Sequence, residues 1–238
     1  MGKHLSYASR LELIRPVLHG MVQFWISIFP IPTIVINKIN SLCRSFLCSR
    51  NSSSCHYALV AWYKVCLPKV EGGLVLLDIK AKNRSFLVKQ LWNIHLKSNS
   101  LWIKWIDHFY ISHNSVWVSD MRKSSSPPWK SICSFRNQLL ALLGEPFEVI
   151  ATLQSWHNEA GTFIANAHEF FHFKDNPVSW TKVVWEKWSL PRYNFILWLA
   201  VLGKLGTRDR LTFLSNESLC TLCSKDDESH AHLFFSCD

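Results

Sequence analysis

Between Cys220 and Cys237 three thiols and one imidazole fall in the order Cys220-x2-Cys223-x8-His232-x4-Cys237, the tightest constraint on folding in this 238-residue chain. A two-residue loop lets the paired thiolates grip one face of a tetrahedral ion, and His232 and Cys237 close the other face. Zinc accepts four such ligands at about 2.0–2.3 Å. With every vertex filled by protein, none is left for a catalytic water, so the spacing predicts one structural Zn2+ in a small C-terminal hairpin. The stretch Ser224-Lys225-Asp226-Asp227-Glu228-Ser229 is loop-like and suits the return of the chain.

A hydrophobic content of 48%, with 12 Trp and 15 Phe, is enough to build a buried core and excludes global disorder. The remaining thiols, Cys43, Cys48, Cys55, Cys66 and Cys133, show no second metal spacing. The chain is long and its clearest cysteine cluster has metal spacing, which is not the pattern of a secreted disulfide scaffold, so the others read as reduced thiols in an intracellular, nuclear or cytoplasmic, protein. Arg10, Glu12 and Arg15 interrupt the first apolar stretch, which is not the pattern of a signal peptide. Met21 to Ile36 is too short to span a bilayer and is broken by Pro30 and Pro32. Charge is unevenly spread. Residues 1–104 carry 14 Lys/Arg against 3 Asp/Glu, and residues 105–238 carry 12 against 14. A basic half of that size attracts polyanions, and nucleic acid is the usual one.

Apolar periodicity predicts a mainly α fold: a helical basic region, then a helical pair and the zinc-binding hairpin. Helices are expected over Leu5 to Phe29, with Pro16 a kink, and over Thr33 to Leu47, with Ile34, Ile36, Ile39, Leu42 and Phe46 toward a core. Ser49 to Cys55 reads as a polar linker. Asp78 should cap a helix reaching Leu96, its apolar face formed by Phe86, Leu87, Leu91 and Ile94. Shorter helices are expected over Leu101 to Tyr110 and Trp129 to Leu143, the latter after a break at Ser124 to Pro128. Gly144 to Asn176 gives no clear pattern. Trp180 to Trp188 and Tyr193 to Leu205 read as a helical pair. This divides the chain into 1–114, a basic helical region, 115–176, a connector, and 177–238, a zinc-binding domain.

Several strings carry a family likeness. Leu5-Ser6-Tyr7-Ala8-Ser9-Arg10-Leu11 opens the chain, and Trp62, Val65-Cys66, Pro68-Lys69 and Glu71-Gly72-Gly73-Leu74 form a second signature. Near the end stand Trp198-Leu199-Ala200, Thr207, Asp209-Arg210-Leu211 and His232-Leu233-Phe234-Phe235-Ser236-Cys237. Together they resemble the C-terminal part of plant non-LTR (LINE-type) retrotransposon reverse transcriptases, from the region after the polymerase core through the reverse-transcriptase zinc-binding domain. The chain departs from that pattern at Ser9, where the family has Gly, at Cys48, where it has Trp, and around Trp156-His157-Asn158-Glu159. The resemblance implies a part of the parent enzyme that grips RNA or DNA rather than one that polymerises it.

The residues agree on the last point. Polymerisation needs clustered carboxylates holding two metal ions about 3.5–4 Å apart, and Asp226-Asp227, the one Asp-Asp pair, sits inside the zinc loop. No catalytic residue is assigned and no small-molecule substrate is expected. The cations expected to meet phosphates are Lys64, Lys69, Lys80, Lys82, Arg84 and Lys89, interleaved with Trp62, Tyr63, Trp92, Trp102 and Trp105 as stacking surfaces. Two rival readings stand beside this one. In the first, zinc staples a protein-interaction module that binds no nucleic acid. In the second, His168-Glu169-Phe170-Phe171-His172 is the HExxH of a zinc hydrolase, with Glu186 a third ligand.

Overall fold

The computed structural model describes residues 5–48, 59–112, 114–119, 125–158, 162–186, 188–210 and 219–237. The expected linker Ser49 to Cys55, and Ser124, Glu159 and Leu211, lie outside them. Among the described residues the helices are α1 (Tyr7–Leu13), α2 (Gly20–Ile28), α3 (Thr33–Cys48), α4 (Trp62–Cys66), α5 (Ile79–His95), α6 (Leu101–Ile106), α7 (Pro127–Leu143), α8 (Pro146–Asn158), α9 (Phe163–Phe171), α10 (Thr181–Val184) and α11 (Pro191–Val201). The same residues hold no β-strand, only an isolated antiparallel bridge between Leu219 and Asp227. The fold is mainly α, as the periodicity predicts. None of the described helices is long and apolar enough to cross a membrane.

The chain forms two compact units that interleave along the sequence: 1–13, 44–76 and 175–238 in one, 14–43 and 77–174 in the other. In the second unit α5 is the central helix, packed by α2, α7 and α9. Its buried positions, among them Ile79, Ala81, Leu87, Val88, Leu91 and Trp92, fall on more than one face. Such a helix cannot keep a purely basic side, which bears on the site below. Asp78 caps it as expected, its carboxylate accepting the Ala81 N–H at 3.1 Å. The patternless stretch after Gly144 supplies α8 and α9. They bury Val149, Leu153, Phe163 and Ala167 against Trp92 and Trp129, with the Trp92 and Phe163 rings stacked at 6.1 Å.

At Pro16, where the sequence predicts a kink, the turn is widened: Ile14–His19 is π-helical. A proline lacks the N–H for an i→i−4 bond and its ring crowds that carbonyl, so the looser turn absorbs both defects. In α3 the core stripe is not the expected one. Ile36, Cys43 and Leu47 are buried, whereas Ile34 and Leu42 are exposed. Asn83 holds the bend after α2. Its amide nitrogen donates to the carbonyls of Ile26 and Phe29 at 3.1 and 3.0 Å, and its oxygen accepts the Ile31 N–H at 3.3 Å.

In the first unit Tyr7 of α1 stacks on Phe195 of α11 at 5.2 Å. The Glu71-Gly72-Gly73 turn follows α4, with Gly72 at φ 82°. A Cβ on Gly73 would stand 2.0 Å from the Leu67 carbonyl oxygen, so only glycine fits. Trp198 Nε1 donates to the Gly72 carbonyl at 2.7 Å. The expected pair of long C-terminal helices is shorter in the structure. α10 is a single turn, and α11 stops at Val201 because Gly203, at φ 61°, closes it with bonds from the Gly203 N–H to Ala200 O and from the Lys204 N–H to Leu199 O.

Candidate metal centre

After α11 the chain reaches the Cys/His array through a scaffold of polar contacts within the first unit. Cys220 N–H donates to Asp226 O at 2.8 Å and Ser224 N–H to Cys220 O at 2.9 Å, which closes the loop between the paired thiols. Ser224 takes φ 55° at the tightest point. The Glu228 carboxylate reaches back across the hairpin. One oxygen accepts the Arg208 N–H at 3.3 Å, and the other accepts the Thr221 N–H and hydroxyl at 3.4 and 3.2 Å. Arg208 donates to Leu219 O at 3.0 Å, and His230 Nε2 accepts the Leu205 N–H at 3.1 Å. Ser229 Oγ accepts the His232 N–H at 3.2 Å at the entry to the π-helical turn His232–Ser236.

This scaffold brings the four donors together. The Sγ atoms of Cys220, Cys223 and Cys237 and a ring nitrogen of His232 all lie within 4.8 Å of one another. Cys220 and Cys237 stand 3.8 Å apart at sulfur. With zinc–sulfur bonds of about 2.3 Å, the sulfur–sulfur edge of a tetrahedron is about 3.8 Å. That spacing also rules out a disulfide, whose sulfurs lie about 2.05 Å apart. Cys223 Sγ and His232 Nε2 are closer, at 3.1 Å. The donor chemistry, three sulfurs and one imidazole nitrogen, fits a tetrahedral centre of the kind that zinc accepts most readily.

The local field prepares the thiolates. The backbone N–H groups of Lys225 and Asp226 and the His232 ring hold the Cys223 thiol down to about 6, against burial that works the other way. The Cys223 and Leu222 N–H groups lower Cys220, the latter reaching its sulfur at 3.4 Å. The Cys223 sulfur in turn raises His232. Burial, with the neighbouring thiols, pushes Cys237 up to about 11. A divalent cation is what would let all three sulfurs ionise together.

The six expected phosphate-binding cations do not form one surface. Lys64 and Lys69 belong to the first unit, and Lys80, Lys82, Arg84 and Lys89 to the second. Lys64, Lys69 and Lys80 are exposed, although the Lys69 ammonium lies 5.2 Å over the Trp185 ring. The other three are half-buried on aromatic faces: Lys82 over Phe86, Arg84 over Phe171 at 5.8 Å and Lys89 over Phe163 at 4.9 Å. Burial lowers Lys82 from its ordinary value. Of the expected stacking aromatics, Trp62 and Trp92 are buried, while Tyr63, Trp102 and Trp105 are exposed.

The HExxH segment does not assemble a metal site. His172 lies past the end of α9, at ψ 139°, and the two imidazoles stack at 5.2 Å instead of converging on a common point. Glu169 points outward to Lys174 at 2.8 Å, and His172 Nδ1 faces Asp78 at 3.6 Å. Glu186 belongs to the other compact unit. Sequence reasoning missed Glu228, His230 and Arg208, which shape the hairpin. The only hint was the acidic run Asp226-Asp227-Glu228 between the ligand pairs.

Residues 163–238 match a family described as zinc-binding in reverse transcriptase. The match begins at the first residue of α9 and takes in all four donors. A protein of Arabidopsis thaliana named "Putative ribonuclease H protein" is 37% identical over 92 residues, which is 39% of this chain and 15% of that protein. The chain therefore corresponds to a small part of that relative's length. No solved structure matches.

Proposed function

We propose that this chain is a non-catalytic segment of a retroelement reverse transcriptase of the plant non-LTR type, which holds one structural zinc and binds nucleic acid. Cys220, Cys223, His232 and Cys237 would hold the ion, which when bound supplies a cross-link for a hairpin too small to have its own core. The observation that carries the reading is the convergence of those four donors inside the segment that resembles zinc-binding regions of reverse transcriptases. The relative from a plant, with a name that refers to ribonuclease H, supports a retroelement origin. Nucleic-acid binding rests on the excess of 14 basic over 3 acidic residues in the first 104. The domain reading that follows has a zinc module over 177–238, a basic helical region over 1–114 and a connector over 115–176.

Elemental analysis of the purified chain beside a Cys220→Ser/Cys223→Ser variant tests this. One zinc per chain, absent from the variant, is expected. Zinc retained by the variant would move the metal to another site and sink the assignment. No zinc in either would remove its basis.

A further inference from the structure

In the second unit two cavities share a wall at Pro30 and differ in chemistry. The first, about 570 Å³, is lined by Lys80 and Arg84 of α5 and by Lys130, Ser131, Ser134 and Gln138 of α7. Thr33 and Asn83 also line it, so among the described residues three cations and five uncharged hydrogen-bonding side chains face it, and no carboxylate does. The second, about 450 Å³, has no charged side chain in its walls among the described residues. Gln90, Asn93 and Asn99 offer amides there, beside the exposed rings of Phe29 and Trp102. Gln90 spends its amide nitrogen on Ser27 O and Ile28 O, which leaves its carbonyl oxygen as an acceptor toward the cavity.

A cationic groove without acidic residues suits phosphate oxygens, and a neutral amide pocket with an aromatic wall suits the edge and face of a base. The partition between them is rigid: two prolines fix the backbone at positions 30 and 32, and Asn83 ties the bend at three points. We infer that this pair of cavities seats a single-stranded polynucleotide across the Pro30 bend, with phosphates on Lys80, Arg84 and Lys130 and a base against Trp102. A duplex keeps its bases paired and stacked, so it could not fill the amide pocket. A lipid surface would leave the amide pocket unused. The inference rests on the nucleic-acid reading above and gives it an address.

The test is fluorescence anisotropy of labelled 12-nucleotide oligo(dT) and oligo(U) with the full zinc-loaded chain, titrated at several salt concentrations. Lys80→Ala/Lys130→Ala is expected to weaken binding and to shrink the slope of log K against log salt by about 1.4, for two lost phosphate contacts at about 0.7 each. Trp102→Ala should weaken binding roughly 5- to 150-fold and leave the slope unchanged. Unaltered melting temperatures establish that both variants fold. A native slope in Lys80→Ala/Lys130→Ala, with the loss appearing instead in Lys64→Ala/Lys69→Ala, would overturn this site and leave nucleic-acid binding standing. Equal affinity for a 12-base-pair duplex would overturn the single-strand assignment. No binding of any oligonucleotide would overturn both.

Discussion

Glu228→Ala isolates the part of the metal centre that no ligand substitution can reach. Glu228 is 9% exposed, and its carboxylate accepts from three donors, the Arg208 N–H, the Thr221 N–H and the Thr221 hydroxyl, at 3.2–3.4 Å. Those distances are long and the donors only partly buried, so each bond is placed below the range for a charged acceptor, near the low end of the ordinary one, about 0.7 kcal/mol. Three of them come to about 2 kcal/mol. Because the ligand loop forms only when the hairpin is closed, that loss appears as weaker zinc binding, by about 30-fold at 1.4 kcal/mol per decade. The assay is competition between the zinc-loaded chain and a chromophoric chelator, with Glu228→Gln beside it. Gln keeps an acceptor oxygen for one side of the hairpin and should recover part of the loss. Affinity in Glu228→Ala within twofold of the parent would refute the reasoning, since the loop would then be shaped by its ligands alone.

Other perturbations have equally definite outcomes. Asn83→Ala removes three hydrogen bonds from the bend after α2 and should cost about 2–3 kcal/mol in urea unfolding; an unchanged midpoint would show that the prolines alone hold the bend. Gly73→Ala puts a methyl 2.0 Å from the Leu67 carbonyl oxygen and should cost at least about 2 kcal/mol, read as a lowered melting temperature. His19 is held down to about 4 from its ordinary 6.5, by burial first and then by Arg15, and its Nδ1 accepts the Leu77 N–H at 3.3 Å. The folded state thus binds fewer protons than the unfolded chain between those values. Its stabilising contribution is complete above pH 6.5 and is lost as pH falls toward 4. His19→Asn, which keeps an acceptor, should flatten that acid limb in melting temperatures measured from pH 7 to 4.5, and an unchanged limb would assign the loss to other groups.

The long elements were legible because their signals are local. Asp78 marked the start of α5 by its own side chain, and the spacing from Thr33 marked α3. Their faces were less legible. Ile34 and Leu42 look like core residues by type, yet burial in α3 follows Ile36, Cys43 and Leu47, which depends on what each turn meets in space. α5 misled in the opposite direction. Its lysines and Arg84 alternate with residues buried by α2, α7 and α9, so three of the four cations lie along aromatic rings instead of forming a solvated stripe. α8 and α9 escaped notice because their apolar residues serve a core built around Trp92 and Trp129, and the amphipathic pattern of a surface helix is blurred there.

The two candidate sites sit at opposite ends of that legibility. The metal centre is contained in 18 residues, from Cys220 to Cys237, so the spacing of its donors is nearly the geometry itself, and the structure adds the bracing contacts of Glu228, Arg208 and His230. The paired cavities draw on α2, α3, α5, α6 and α7, and Lys130 stands 50 positions from Lys80 in the sequence. A motif reading ranks cations by local density, which is why it chose Lys82 and Lys89 and passed over Lys130, Ser134 and Gln138. What a polyanion meets is the set of cations that share a concave wall without a carboxylate, and tertiary packing alone decides membership of that set. If the oligonucleotide slope follows Lys80 and Lys130 rather than the whole basic segment, binding is a property of this cavity and not of net charge.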